Sequence, residues 1–179
     1  MNINYAANEA LRPLFNAVDL DKSGKITHNE LQKVLTMPGS ELQGGSFSER
    51  CAKRLVKMFD RNGNGSVDFE EYSALHQYLI QMKAGFESVD TNKSGKVEFN
   101  EVTITLSRVG FNFSPQIVQK LFKLFDFQNK GSLDFDGYIE LCAFLGLMRA
   151  QFIPRDANYS GQAMFTWEQF IQACMEAYM

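Results

Sequence analysis

Cysteine is scarce: Cys51, Cys142 and Cys174 are the only three in 179 residues, too few and too widely spaced for a disulfide scaffold or a thiolate zinc site. They imply a reducing compartment. No stretch approaches the ~18 consecutive apolar residues of a membrane span. The opening Met1-Asn2-Ile3-Asn4-Tyr5 has neither the basic flank nor the apolar run of a signal peptide. Positive charge is not in excess either. A net charge of −3 and a pI near 5.4 give no global field to hold nucleic acid. The longest basic cluster, Lys53-Arg54 with Lys57, reads as the solvated face of a helix, so no nucleic acid is expected as a partner. What remains is ordinary: 45% apolar and 22% charged residues, enough to bury a core without staples. The expected protein is soluble, compact and cytoplasmic.

The thirteen glycines matter by position. They recur in short polar clusters, DLDKSGKI, DRNGNGSV, DTNKSGKV, DFQNKGSL and DANYSGQA, each bracketed by apolar residues at helical spacing. Aligned on Asp19, Asp60, Asp90, Asp126 and Asp156, the clusters place glycine sixth every time (Gly24, Gly65, Gly95, Gly131, Gly161). An apolar residue stands eighth: Ile26, Val67, Val97, Leu133 and Ala163. Four units carry phenylalanine four residues upstream, at Phe15, Phe86, Phe122 and Phe152. Each unit therefore predicts helix, twelve-residue loop, helix, which is the EF-hand pattern.

Calcium is a hard cation that takes oxygen ligands from positions 1, 3, 5, 7, 9 and 12 of such a loop. Position 7 gives only its carbonyl, so a lysine there does no harm. Loop 19–30 supplies Asp19, Asp21, Ser23, Lys25 (backbone), Thr27 and Glu30. Loop 60–71 supplies Asp60, Asn62, Asn64, Ser66 (backbone), Asp68 and Glu71. Loop 90–101 supplies Asp90, Asn92, Ser94, Lys96 (backbone), Glu98 and Glu101. Loop 126–137 departs from the pattern, with Gln128 third, Lys130 fifth and Gly137 twelfth. An ammonium group repels the ion and glycine removes the bidentate carboxylate, so that hand is expected to be empty. The fifth loop has Met164 ninth and Trp167 twelfth. Its exit helix starts two residues late, which stretches the loop to 156–169 and puts neutral Gln169 where glutamate belongs. Thr166 and Gln169 form a predicted capping box. The fifth loop reads as structural.

Loop starts are 41, 30, 36 and 30 residues apart. Eighteen residues separate Glu71 from Asp90, and again Gly137 from Asp156. At ~1.5 Å per residue that is one helix of ~27 Å, with no room for two helices and a linker. Hands two and three thus share a helix, as do four and five, with Gly85 and Gly146 as weak points. The longer gap after Glu30 holds a loop from Pro38 to Ser46, where Ser46 and Glu49 are predicted to cap the next helix. Ser114-Pro115 opens the fourth hand. Pro13 falls inside the expected first helix, which either begins there or is kinked.

Five hands, two shared helices, a vacant fourth loop and the extended last loop DANYSGQAMFTWEQF resemble the penta-EF-hand calcium-binding family. The likeness runs from about Asn8 to the end, making residues 1–179 one domain with a short tail at 1–7. It implies an all-α fold of about eight helices and calcium-dependent association with protein targets or with membranes and vesicles. It also implies pairing through the fifth hand. That last expectation has independent support, because five hands cannot all pair within one chain. A homodimer, or a heterodimer with a related protein, satisfies the odd one. The expected activity is that of a calcium sensor or adaptor that exposes an apolar surface when calcium binds; the alternative is a buffer with little response. An enzyme is not expected. Cys142 and His76 fall at positions equivalent to core residues, where a thiol is inert.

Overall fold

In the computed structural model of the chain, residues 5–36 and 47–178 are described. Asn8 caps a 3-10 turn, Glu9–Leu11, by accepting from the Ala10 amide, and α1 (Arg12–Val18) follows directly. Pro13 is the second residue of α1, in the first turn where a missing N–H costs nothing, so it sits at the start of the helix and does not kink it. After loop 19–30 comes α2 (His28–Thr36). The predicted capping serine Ser46 and the Pro38–Ser46 loop lie outside the described residues. The observed cap of α3 (Glu49–Phe59) is Ser48, whose hydroxyl accepts from the Cys51 amide. Glu49 is the first helical residue and pairs with Lys53 at 2.6 Å.

Both shared helices are present. α4 (Phe69–Val89, 21 residues) joins the second and third loops. α7 (Phe135–Phe152, 18 residues) leads from the fourth toward the fifth. The second is not a single α-helix throughout the expected eighteen residues: Pro154 closes it with a 3-10 turn at Ile153–Arg155. Gly85 and Gly146 break neither helix. A Cβ at Gly146 would lie 2.8 Å from Met58 Cε, so this glycine admits α3 close against α7. Between the shared helices run α5 (Phe99–Arg108) and α6 (Pro115–Phe125); Ser114 stands at the N-cap position of α6 without a side-chain capping bond, and Pro115 opens the helix. α8 (Trp167–Tyr178) closes the chain. The fold is all-α, with one two-stranded ladder among the described residues.

The eighth loop residues do what their apolar character predicts. Ile26 and Val67 exchange amide-to-carbonyl hydrogen bonds of 2.8 and 2.9 Å, which pairs hands one and two. β1 (Lys96–Glu98) runs antiparallel to β2 (Ser132–Asp134), with Val97 opposite Leu133, which pairs hands three and four. All four apolar residues are buried beneath their loops in one continuous core. Phe86 of α4 meets Phe135 and Tyr138 of α7 at ring distances of 5.3 and 5.4 Å, so the two pairs share that core.

The basic cluster on α3 is not a solvated face. Lys53 is exposed, but Arg54 is buried. Its Nη1 lies 2.6 Å from Oε1 of Glu140, a completely buried residue of α7. Arg50 Nε reaches the same oxygen at 2.5 Å, and Lys57 pairs with Glu176 of α8 at 2.9 Å. Arg50, Arg54 and Lys57 are spaced i, i+4, i+7 and so share one stripe of α3, aimed at α7 and α8. Burial pushes the Glu140 carboxyl up, against the pull of Arg50 and Arg54.

Candidate metal centres

Each loop is built around its leading aspartate. In the first, Asp19 accepts from the amides of Ser23 at 2.9 Å and Gly24 at 2.8 Å. The second repeats this with Asn64 and Gly65 on Asp60, at 3.1 and 2.7 Å. In the third, Ser94 and Gly95 bind Asp90 at 2.9 and 2.8 Å. Such closure needs a left-handed residue at position 6, where φ is +70° to +79° at all five glycines. Position 4 is left-handed as well: Lys22, Gly63, Lys93, Asn129 and Tyr159 all have φ between +50° and +71°. Sequence reasoning missed this second constraint. Its only signals were Gly63 and Asn129, since Lys and Tyr show no preference for that region.

The first loop gathers the most charge. Oxygens of Asp19, Asp21 and Glu30 all lie within 4.8 Å of one another. Glu30 is buried at the third residue of α2, with Oε1 accepting from Leu20 N at 3.0 Å and Oε2 from Thr27 N at 2.9 Å. Burial alone would raise the Glu30 carboxyl, but the Thr27 amide and hydroxyl and the Leu20 amide outweigh it and hold the group below its ordinary value. Hydrogen bonds from Ser23 lower Asp21 likewise. Three carboxylates brought this close repel one another when ionised, and a hard divalent cation relieves that repulsion. The donor set fits calcium.

The second loop clasps its glutamate the same way. Glu71 accepts from Arg61 N at 2.8 Å and from Asp68 N at 2.9 Å, and Asp68 returns a bond from Glu71 N at 3.0 Å. Asn62 Nδ2 also donates to Glu71, at 3.1 Å. Ser66 bonds Asn64 through both amide and hydroxyl. The third loop differs. Glu98 N donates to Glu101 at 2.8 Å, but the Thr91 amide, the counterpart of Leu20 and Arg61, turns to the Val89 carbonyl. Glu101 is consequently half-buried and held on one side only. Asn92 accepts from Ser94 N at 2.9 Å, and the Lys96 carbonyl from Ser94 Oγ at 3.2 Å.

The last two loops close without a ligand set. Asp126 accepts from Lys130 N and Gly131 N at 3.0 and 2.7 Å. A Cβ at Gly137 would sit 3.3 Å from the Phe125 carbonyl, so little room exists for the missing glutamate. Asp156 accepts from Ser160 N and Gly161 N, both at 2.8 Å. The predicted capping box is present: Thr166 N donates to Gln169 Oε1 at 3.0 Å and Gln169 N to Thr166 Oγ1 at 3.2 Å. Thr166 is the eleventh residue of its loop, whereas the equivalent Thr27 is the ninth, so the two-residue extension is real. No ladder forms at Ala163. Met164 is 91% exposed and Trp167 76%, while Ala173 and Ala177 turn inward onto the chain's own core side.

Helix–loop–helix hands joined in twos through one-residue or three-residue ladders define an EF-hand protein. Residues 8–76 and 81–143 each match the family model for the EF-hand domain pair. Sorcin of Schistosoma japonicum is 36% identical over 162 residues, covering 90% of this chain and 92% of sorcin. Peflin of Danio rerio is 30% identical over 179 residues, which is 99% of this chain but 65% of peflin, so the chain spans just under two thirds of that relative. A solved structure of a homolog of programmed cell death 6 protein from Leishmania major Friedlin superimposes with a TM-score of 0.73 at 35% identity, over 97% of both chains. The chain belongs to the penta-EF-hand family.

Proposed function

We propose that residues 1–179 form one calcium-regulated sensor or adaptor domain with ions held in loops 19–30, 60–71 and 90–101. The observation that carries this reading is the convergence of Asp19, Asp21 and Glu30 at the mouth of α2. Glu30, Glu71 and Glu101 each lie in the first turn of an exit helix, so gripping an ion tugs that helix and couples occupancy to shape. Sensor affinities lie at ~10⁻⁷ to 10⁻⁵ M. The test is calorimetric titration together with binding of an apolar dye. Three ions per chain and a calcium-induced rise in dye fluorescence are expected; three ions with no rise is the behaviour of a buffer, and one or none rejects the site assignment.

The third site is expected to be the weakest, because Glu101 lacks the second clasp that holds Glu30 and Glu71. Glu101→Gln removes the bidentate charge and should abolish that site alone. Titration of the variant should show two ions with the affinities of the first two sites; three unchanged ions would show the loop register to be wrong.

The exposed faces around Met164, Trp167, Phe170 and Tyr178 support a pairing of fifth hands between two copies or with a related chain. Light scattering at micromolar concentration should give a dimer with calcium and with chelator, since this loop lacks ion ligands. Phe170→Asp should give a monomer in both. A wild-type monomer, or a dimeric variant, would defeat the claim. Calcium-dependent targets, residence in the cytoplasm and recruitment to membranes belong to the same reading. No helix among the described residues is long and apolar enough to cross a membrane. Catalysis forms no part of it. The buried Cys142 thiol is pushed up to about 12 by burial, and His76, expected in the core, is only half-buried.

A further inference from the structure

Helix α6 carries two apolar stripes. Val118, Phe122 and Phe125 are buried and attach it to the core. A second stripe, offset by about a quarter-turn or more, runs through Ile117, the partly buried Leu121, and Leu124. Ile117 is 43% exposed and Leu124 58%. Leu121 also packs against the core, whereas Ile117 and Leu124 stand out to solvent.

Its spacing and charge say what fits it. The four-then-three step from Ile117 to Leu121 to Leu124 is the seam by which one helix packs along another. Lys120 and Lys123 are exposed on the adjoining face, with no ion-pair partner among the described residues. Between Glu101 and Asp126 there is no acid at all, only Arg108, Lys120 and Lys123, in a chain whose net charge is −3. An acidic helix finds opposite charge here and like charge over much of the rest of the molecule. An anionic bilayer, being broad, meets the whole negative chain, and this face has no tryptophan to anchor it.

We propose that the outer face of α6 is a docking surface for an acidic amphipathic helix of a partner protein, seated along Ile117, Leu121 and Leu124 with its acids toward Lys120 and Lys123. This surface is separate from the calcium loops and from the fifth hand. α6 ends in the fourth loop, which has no ligand set, so docking needs no ion at this hand and is expected in chelator as well as in calcium.

The experiment measures fluorescence anisotropy of two synthetic helical peptides against the full chain. Both carry leucine at a heptad seam, one flanked by glutamate and the other by lysine. Vesicles containing phosphatidylserine form a third arm. The glutamate-flanked peptide should bind in calcium and in chelator alike, and Leu124→Glu should weaken it by about tenfold or more. Lys120→Glu combined with Lys123→Glu should reverse the preference toward the lysine-flanked peptide. Phe170→Asp should leave binding unchanged, which separates this surface from the fifth-hand contact. Equal binding of both peptides overturns the proposal, as does binding that appears only with calcium. Vesicle binding that Leu124→Glu abolishes, with neither peptide bound, would assign the face to a membrane instead and overturn it too.

Discussion

Glu140→Ala is expected to destabilise the protein by about 3–5 kcal/mol, the range for removing one partner of a buried ion pair. Glu140 is completely buried and serves two guanidinium groups through the same oxygen, Oε1. Without it, Arg54 stays buried with no counter-charge, beside the Phe125 and Phe144 rings that it overlies at 5.8 and 5.5 Å. Those rings return only part of the loss, since a cation–π contact is worth ~0.5–2 kcal/mol. Arg50 is half-exposed and stacks on Phe127 at 3.8 Å, so it can turn to water. The triad is also imperfect as built: Arg54 Nε and Glu140 Oε2 are buried without partners. A volume-matched Arg54→Met/Glu140→Met pair should therefore recover most of the loss, because the burial cost of both charges disappears together. Urea unfolding of the three chains decides it, and for a protein of this size the alanine variant should melt ~2–4 °C lower per kcal/mol. A change within 0.5 kcal/mol for Glu140→Ala would mean that the cluster is solvated.

The hands were legible in the sequence because an ion-binding loop is a local object. Position, residue type and turn chemistry all fall within twelve residues, so Asp19 to Glu30 could be placed without knowledge of the fold. Shared helices followed from length alone, although Pro154 shows that a length argument still needs every residue checked for its effect on the backbone. What could not be read was long-range. Nothing near Arg54 reveals Glu140, 86 positions away, and a basic run on a helix is usually solvated. The cap of α3 went to Ser48 instead of Ser46 for a similar reason. Asp136 of α7 accepts from the Ser48 amide at 3.0 Å, fixing the start of α3 from across the molecule. The asymmetry of the third loop was hidden too, since Glu101 has the same sequence context as Glu30 and Glu71 but one clasp fewer.

Glu30→Gln should eliminate the first calcium site at micromolar concentration and leave the other two filled. Glu30 supplies one of only three anions in that loop, and both of its oxygens are already aimed by hydrogen bonds from Leu20 and Thr27. Glutamine keeps the size but not the symmetry. Its amide nitrogen cannot accept from either amide, so the clasp opens on one side before an ion arrives. Lost hydrogen bonds to a charged group cost ~1.5–3 kcal/mol, which corresponds to a fall in affinity of roughly ten- to a hundredfold. The effect should reach the second site in weaker form. Ile26, four residues before Glu30, is bonded to Val67, four residues before Glu71, so the two clasps hang from one ladder. Calorimetry of Glu30→Gln, Glu71→Gln and the double variant would measure that coupling directly. Each single variant should bind two ions and weaken the remaining member of its pair, while the third site is unaltered. Two independent sites with no cross-effect would show that the Ile26–Val67 bridge does not transmit occupancy, and an unchanged three-ion isotherm for Glu30→Gln would remove Asp19, Asp21 and Glu30 as an ion site.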